Sequence, residues 1–357
     1  MIQQTVFALF QANLIYALSS AVVRAPAAIP TGVKWQFEIQ DPLLVPASTG
    51  DPLQPEEAQV WEIDLWHACK NSTIVERLHE RQKTVICYFN FGAVQPEDCD
   101  FDQWITQGLW NGTWYGDVEG NDIFCERYVD LRDPRVLDLL RGRLRTAADA
   151  GCDGVDPDNI DVYTVDGRIN QEQNAQVIRD MAIYAKGPEV SKQMLFGQKN
   201  AQNMVSDLVG TLDFAVLEDC ITEEFCSAFN PYVNSNPPKP VVDIEYPTSL
   251  LSATSPWECN PSGINDPDRE LVCNGQANKV PAGFSEVLKL DSLNSCTQYC
   301  DSVVLISPAQ EGELGVDYCE YELSECNMNP PDPEYCRNGC CDEREECENT
   351  SLKFFRF

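Results

Sequence analysis

Between residues 35 and 290, short apolar runs of β character alternate with segments of helical character, and this rhythm most restricts the fold. The runs are Trp35–Ile39 (WQFEI), Val60–Leu65 (VWEIDL), Val85–Phe91 (VICYFNF), Cys152–Asp156 (CDGVD), Leu195–Asn200 (LFGQKN), Phe214–Asp219 (FAVLED), Pro240–Tyr246 (PVVDIEY) and Glu286–Leu290 (EVLKL). Runs this short and this apolar suit strands buried on both faces, as in a parallel sheet. Three helices stand out between them. Asp133 can cap one, Pro134 fits its first position, and Gly151 fits just past its end. Its stripe is Val136, Leu140, Leu144 and Ala148, with Arg141, Arg143 and Arg145 mostly off it. A second spans Gln171 to Lys186 and is ended by Gly187-Pro188; a third spans Thr73 to Gln82.

Eight strands with helical crossovers predict an α/β fold, a closed (β/α)8 TIM barrel. The rival is an open doubly wound sheet, but no strand is followed by a glycine pattern that could cradle a nucleotide phosphate. One crossover, Gln40 to Gln59, holds Pro42, Pro46, Pro52 and Pro55 and is too broken for a helix.

A barrel needs about 250 residues, so a chain of 357 has room at both ends. The apolar stretch Val6–Leu18 followed by small residues predicts a signal peptide over 1–21. The barrel is expected over 30–293, interrupted by a Pro-, Asn- and Ser-rich loop from Ser249 to Ala282 that carries Cys259 and Cys273. The remainder, 294–357, reads as an acidic Cys-rich tail holding eight of the 17 cysteines, a disulfide-rich C-terminal extension. That cysteine load suits an oxidising compartment. Sequons at Asn71, Asn111 and Asn349 fit the same picture of a secreted, extracellular glycoprotein.

The net charge of -32 argues against nucleic acid and anionic membranes as partners. It leaves either simple solubility or attraction of a cationic substrate. With only His67 and His79, and neither beside a nucleophile motif, Ser-His or Cys-His catalysis is discouraged. Carboxylates, in contrast, collect at the strand ends, where a barrel keeps its active site: Asp64, Asp156 and Asp158, Glu218 and Asp219, and Glu245. A pair of carboxyls is the equipment of glycoside hydrolysis, one protonating the leaving oxygen and the other attacking or activating water. A rim of solvated acids and a Ca²⁺ or Mg²⁺ site are the alternatives.

In these same residues the chain resembles glycoside hydrolase family 114, the endo-α-1,4-polygalactosaminidases. The matching pieces are WQFEI, VWEIDLW, KTVICYFNFGA, RYVDLRDPRV, GCDGVDPDNID, GQKNA, LDFAVLEDC and VVDIEY, in order along the barrel. The resemblance implies a (β/α)8 enzyme that cleaves galactosamine polymer internally, without metal or other cofactor, acting as a monomer on a polysaccharide that is cationic when deacetylated. It implies Asp156 as nucleophile and Glu218 as general acid/base in a retaining mechanism, with Asp158 the alternative to Asp156. Asp64, Tyr88, Asp158, Asn159, Lys199, Asn200, Glu245 and Tyr246 fall at positions that would line the cleft. It also implies a Cys220–Cys226 disulfide. The family's YFSAG, GLKN and NEQC read here as Tyr88-Phe89-Asn90-Phe91-Gly92, Gly197-Gln198-Lys199-Asn200 and Leu217-Glu218-Asp219-Cys220. Changed neighbours of this kind keep two further readings open, a non-catalytic glycan-binding barrel and a surface adhesion protein.

Overall fold

The computed structural model describes residues 28–110, 126–251, 259–260, 267–275 and 280–309. The expected signal peptide, Asn111, Asn349 and most of the Cys-rich tail lie outside the described residues.

Eight parallel strands follow one another in chain order: β1 Trp35–Glu38, β2 Val60–Asp64, β3 Thr84–Asn90, β4 Gly154–Asp158, β5 Leu195–Lys199, β6 Phe214–Glu218, β7 Val241–Glu245 and β8 Phe284–Lys289. The fold is a (β/α)8 barrel. Two short strands, β9 Cys296–Gln298 and β10 Leu305–Ile306, continue the sheet antiparallel beyond β8. All eight expected runs agree with strands to within two residues at each end. The fourth is the one shifted by two residues at both ends. Gly151 ends the preceding helix in the left-handed conformation (φ 93°), Cys152 and Asp153 form the return, and the strand begins at Gly154. That two-residue displacement makes Asp158, not Asp156, its last residue.

Alternation along the strands divides the core in two. Trp35, Phe37, Val60, Ile86, Leu195, Phe214, Val216, Val242, Ile244 and Val287 fill the barrel. Trp61, Ile63, Val85, Cys87, Val155, Phe196, Ala215, Leu217 and Val241 face the surrounding helices. The helices are α1 Leu65–Lys70, α2 Thr73–Glu80, α3 Phe101–Thr106, α4 Pro134–Ala150 and α5 Gln171–Ala185, followed by the single turns α6 Val205–Leu208 and α7 Asn230–Val233. The start of α4 is as the sequence predicts: Asp133 accepts a hydrogen bond from Arg135 N with Pro134 in the first turn. Asn170 and Gln173 close a reciprocal capping box on α5. No described helix is long and apolar enough to cross a membrane.

Among the described residues no backbone ladder joins β1 to β8. Side chains seal this seam. Lys289 donates to Phe37 O at 2.7 Å and Thr297 Oγ1 at 2.8 Å, and Tyr299 donates to Trp35 O at 2.9 Å. Disulfides tie the layers together: Cys87–Cys152, Cys220–Cys226, Cys259–Cys296 and Cys273–Cys300. The last two fasten residues just after 294 to the 249–282 loop, so a cut at 294 would remove two sheet strands and two cross-links.

Candidate active site

Three neighbouring strands leave the barrel through left-handed residues: Asn159 after β4 (φ 53°), Asn200 after β5 (φ 41°) and Asp219 after β6 (φ 55°). Asn and Asp tolerate this region because a short polar side chain can bond locally. Such abrupt exits leave the last residue of each strand, Asp158, Lys199 and Glu218, on the inward-facing parity at the barrel mouth.

Lys199 is the centre of the cluster. It is buried, and its Nζ lies 3.5 Å from Glu218 Oε2, 3.8 Å from Asp156 Oδ2 and 5.6 Å from the centre of the Tyr88 ring. Burial works against its charge, but Glu218, Asp158, Asp156 and Glu62 together hold its pKa above the usual lysine value. Glu218 is clamped from three sides. Tyr246 OH donates to Oε1 at 2.5 Å and Asn200 Nδ2 to Oε2 at 2.9 Å, while Glu218 N donates back to Asn200 Oδ1 at 2.9 Å. Burial alone would raise the pKa of Glu218; Lys199, Tyr246 and Asn200 outweigh it and hold the carboxyl below its ordinary value. Asp158 is half-buried and accepts from Tyr88 OH and from Asn159 N, both at 2.8 Å. Asn159 Nδ2 in turn reaches Asn90 Oδ1 at 3.1 Å, and Asn90 donates to Glu126 Oε1 at 2.7 Å.

Two residues expected to face substrate are placed differently. Asp156 lies in the middle of β4, 0% exposed, with neither carboxylate oxygen reaching solvent. Asp158, two residues further on and half-buried, is the acid nearer the mouth. Glu245 points away from the barrel, since Val242 and Ile244 occupy the inner parity of β7. It accepts from Ile221 N and Thr222 Oγ1, both at 2.7 Å, and so holds the loop after β6. Asp64 has inner parity, but its Oδ1 caps α1, accepting from Trp66 N at 2.7 Å and His67 N at 3.3 Å. Asn71 ends α1, and its Oδ1 accepts from Thr73 Oγ1 at 2.7 Å.

Sequence reasoning missed Glu62, fully buried beside Asp156, and Gly197, where an added Cβ would stand 3.1 Å from Asp156 Oδ1. Parity could have found Glu62, because it shares the inward face of β2 with Val60. Two of the five departures from the family pattern adjoin the mouth, Asn90 on the inner parity of β3 beside Asn159 and Asp219 at the exit of β6. Phe91 and Leu217 are buried in the outer layer, and Gln198 is fixed there by Tyr232 OH at 2.8 Å. None of the three lines the mouth.

A sequence profile described as glycoside-hydrolase family GH114 matches residues 17–304. The chain belongs to this family. It is therefore a glycoside hydrolase. The crystal structure of Aspergillus fumigatus Ega3 in complex with galactosamine is similar in fold, with a TM-score of 0.61 and 24% identity over 78% of this chain and 98% of that one. The glycoside hydrolase domain of Pseudomonas aeruginosa PelA aligns over 73% of this chain and 96% of its own, at 13% identity and a TM-score of 0.48. No curated protein matches the chain.

Proposed function

We propose that this GH114 protein is a secreted endo-acting hydrolase of galactosamine-containing polysaccharide that cleaves α-1,4-galactosaminidic bonds with Asp158 and Glu218. The observation that carries the reading is the position of these two carboxyls: each ends a barrel strand at the mouth, and both act on the buried ammonium of Lys199. Glu218 keeps 29% of its side chain exposed. Hydrogen bonds from Tyr88 and Tyr246 orient one carboxyl each. Lys199, Asn200, Asn159 and the two tyrosines are the residues proposed to border the bound sugar. Lys199, Tyr246 and Asn200 favour the ionised form of Glu218 against burial, so the acid role implied for it requires substrate to displace Tyr246 or weaken the contact with Lys199. Retention of configuration is part of the proposal and is read from the anomer first released, by proton NMR.

A galactosamine polymer is the favoured substrate because its free amines are cationic and the chain carries a net charge of -32. The disulfides of the described region fit an oxidising, extracellular setting. The test is incubation with partly deacetylated and with fully N-acetylated galactosaminan, products being read by mass. Asp158→Asn and Glu218→Gln are each expected to lose about a thousandfold or more, and Asp156→Asn less than either. Folded protein that binds the polymer without shortening it would establish the binding-barrel reading instead. Activity in a chain ending after residue 309 would exclude the tail as the working part.

A further inference from the structure

Beneath the proposed catalytic acids lies a second pair of carboxyls that the reaction does not touch. Glu62 of β2 and Asp156 of β4 both face the barrel interior, and both are fully buried. Ladder partners set Glu62 level with Ile86 and Ile86 level with Gly154. The shear of such a barrel advances each strand by roughly one residue, and alternate strands fill each interior layer. Two strands on, Glu62 therefore shares a layer with Asp156. Each carboxyl shifts the ionisation of the other. Among the described residues, no N–H or hydroxyl donor reaches any of their four oxygens, and Lys199 Nζ stands off at 3.8 Å.

Four acceptor oxygens without a donor cannot be buried together as two anions. We propose that Glu62 is a positioning residue for the reaction: it carries a proton, donates it to Asp156, and so limits the buried pair to one negative charge beneath Lys199. The remaining charge of Lys199 is then directed to Glu218 and Asp158 at the mouth. Facing Glu62 are Asp156 of β4, Lys199 of β5 and Glu218 of β6, with Tyr88 of β3 and Asp64 of its own strand on the same parity. Burial and the neighbouring Asp156 raise the pKa of Glu62 well above its ordinary value, with Lys199 opposing. Burial pushes Asp156 up to about 7, against the pull of Lys199. Loss of the shared proton at high pH would place a second anion under Lys199, draw it from Glu218, and end activity.

The functional half of this inference rests on the proposed hydrolase reading; the protonation half does not. Infrared difference spectra of wild type against Glu62→Gln at neutral pH are expected to show loss of a protonated-carboxyl band. Absence of that loss overturns the proposal whatever the protein hydrolyses. In kinetics, Glu62→Gln still donates to Asp156 but has no proton to lose. It is expected within about threefold of wild type on the plateau, and it should keep up to about tenfold more of that plateau one pH unit beyond the wild-type basic limb. Glu62→Leu, which removes the donor, is expected to lose about tenfold or more at every pH. Superimposable basic limbs for wild type and a folded, active Glu62→Gln would reduce Glu62 to a packing residue and overturn the positioning role.

Discussion

Arg143 is the strongest test of the packing behind the site. It projects from α4, its side chain has no exposed surface, and its guanidinium lies 5.2 Å from the ring centres of both Trp66 and Trp104. It donates to Asp98 Oδ2 at 2.5 Å, to Asp100 at 2.7 and 2.9 Å, and to Asn90 O at 2.6 Å. Asp98 is buried too, its other donors being Trp66 Nε1 at 2.8 Å and Gln95 N at 3.1 Å. Arg143→Met keeps the aliphatic stem, strands the Asp98 carboxylate in the interior and leaves the half-buried Asp100 without its guanidinium partner. Breaking a buried ion pair from one side costs about 3–5 kcal/mol. At about 2–4 °C per kcal/mol for a domain of this class, Tm should fall by roughly 6–20 °C in a thermal melt followed by circular dichroism. Arg143→Lys keeps the charge but neither the fork nor the stacking on tryptophan, and should fall between. If the loss comes from stranded charge, adding Asp98→Asn and Asp100→Asn to Arg143→Met should restore at least about half of it. A single variant costing under about 1 kcal/mol, or a triple variant less stable than the single one, would refute this account.

Tyr246→Phe removes the hydroxyl that helps to hold Glu218 ionised, so the limb of the pH–kcat/KM profile that reports Glu218 should move to higher pH. Burial pushes Asp64 up to about 6, which means the folded state prefers its protonated form. That contribution is complete below the unfolded value of about 3.9 and is lost as pH rises through about 6. Asp64→Asn keeps a good helix cap without the charge, so its stability advantage over wild type should grow across that interval, to at most about 2 kcal/mol after allowance for partial exposure, in denaturant titrations at several pH values. The Cys87–Cys152 bond spans 65 residues, and its loss in a Cys87→Ala, Cys152→Ala variant should cost about 4 kcal/mol by the same titration. Gly197→Ala would bring a methyl within 2.5 Å of the Phe214 ring and 3.1 Å of Asp156 Oδ1. About 1–3 kcal/mol of overpacking is expected, with reduced turnover measured alongside.

Much of the barrel was legible because strands buried on both faces must be apolar throughout, and turn residues punctuate them. What local pattern could not convey came from contacts distant in sequence. Arg143 sits at the edge of the α4 stripe and reads as a surface residue. It is buried because Asp98 and Asp100, some 40 residues earlier, turn inward to meet it. Local pattern places the end of β4 two residues early, because the apolar rhythm begins at Cys152 and a proline at 157 argues against a continuing strand. Yet Pro157 stands level with Phe89 in the ladder.

Where β4 ends bears directly on function, and alternation together with height along the strand decides it. In a barrel strand the residue's parity decides whether a carboxyl meets the interior or the helix layer. On β7 it sends Glu245 outward to hold a loop and brings Tyr246 in to meet Glu218. On β4 it brings Asp156 and Asp158 to the same inner face, so parity cannot separate them; height along the strand does. Asp156 is one layer down, where Glu62 is its partner, and Asp158 is at the open end, where Tyr88 and Asn159 donate to it. On the proposed reading, a motif that carries two acids two residues apart supplies one carboxyl for the substrate and one for the support beneath it. The ending residue of β4 determines which is which.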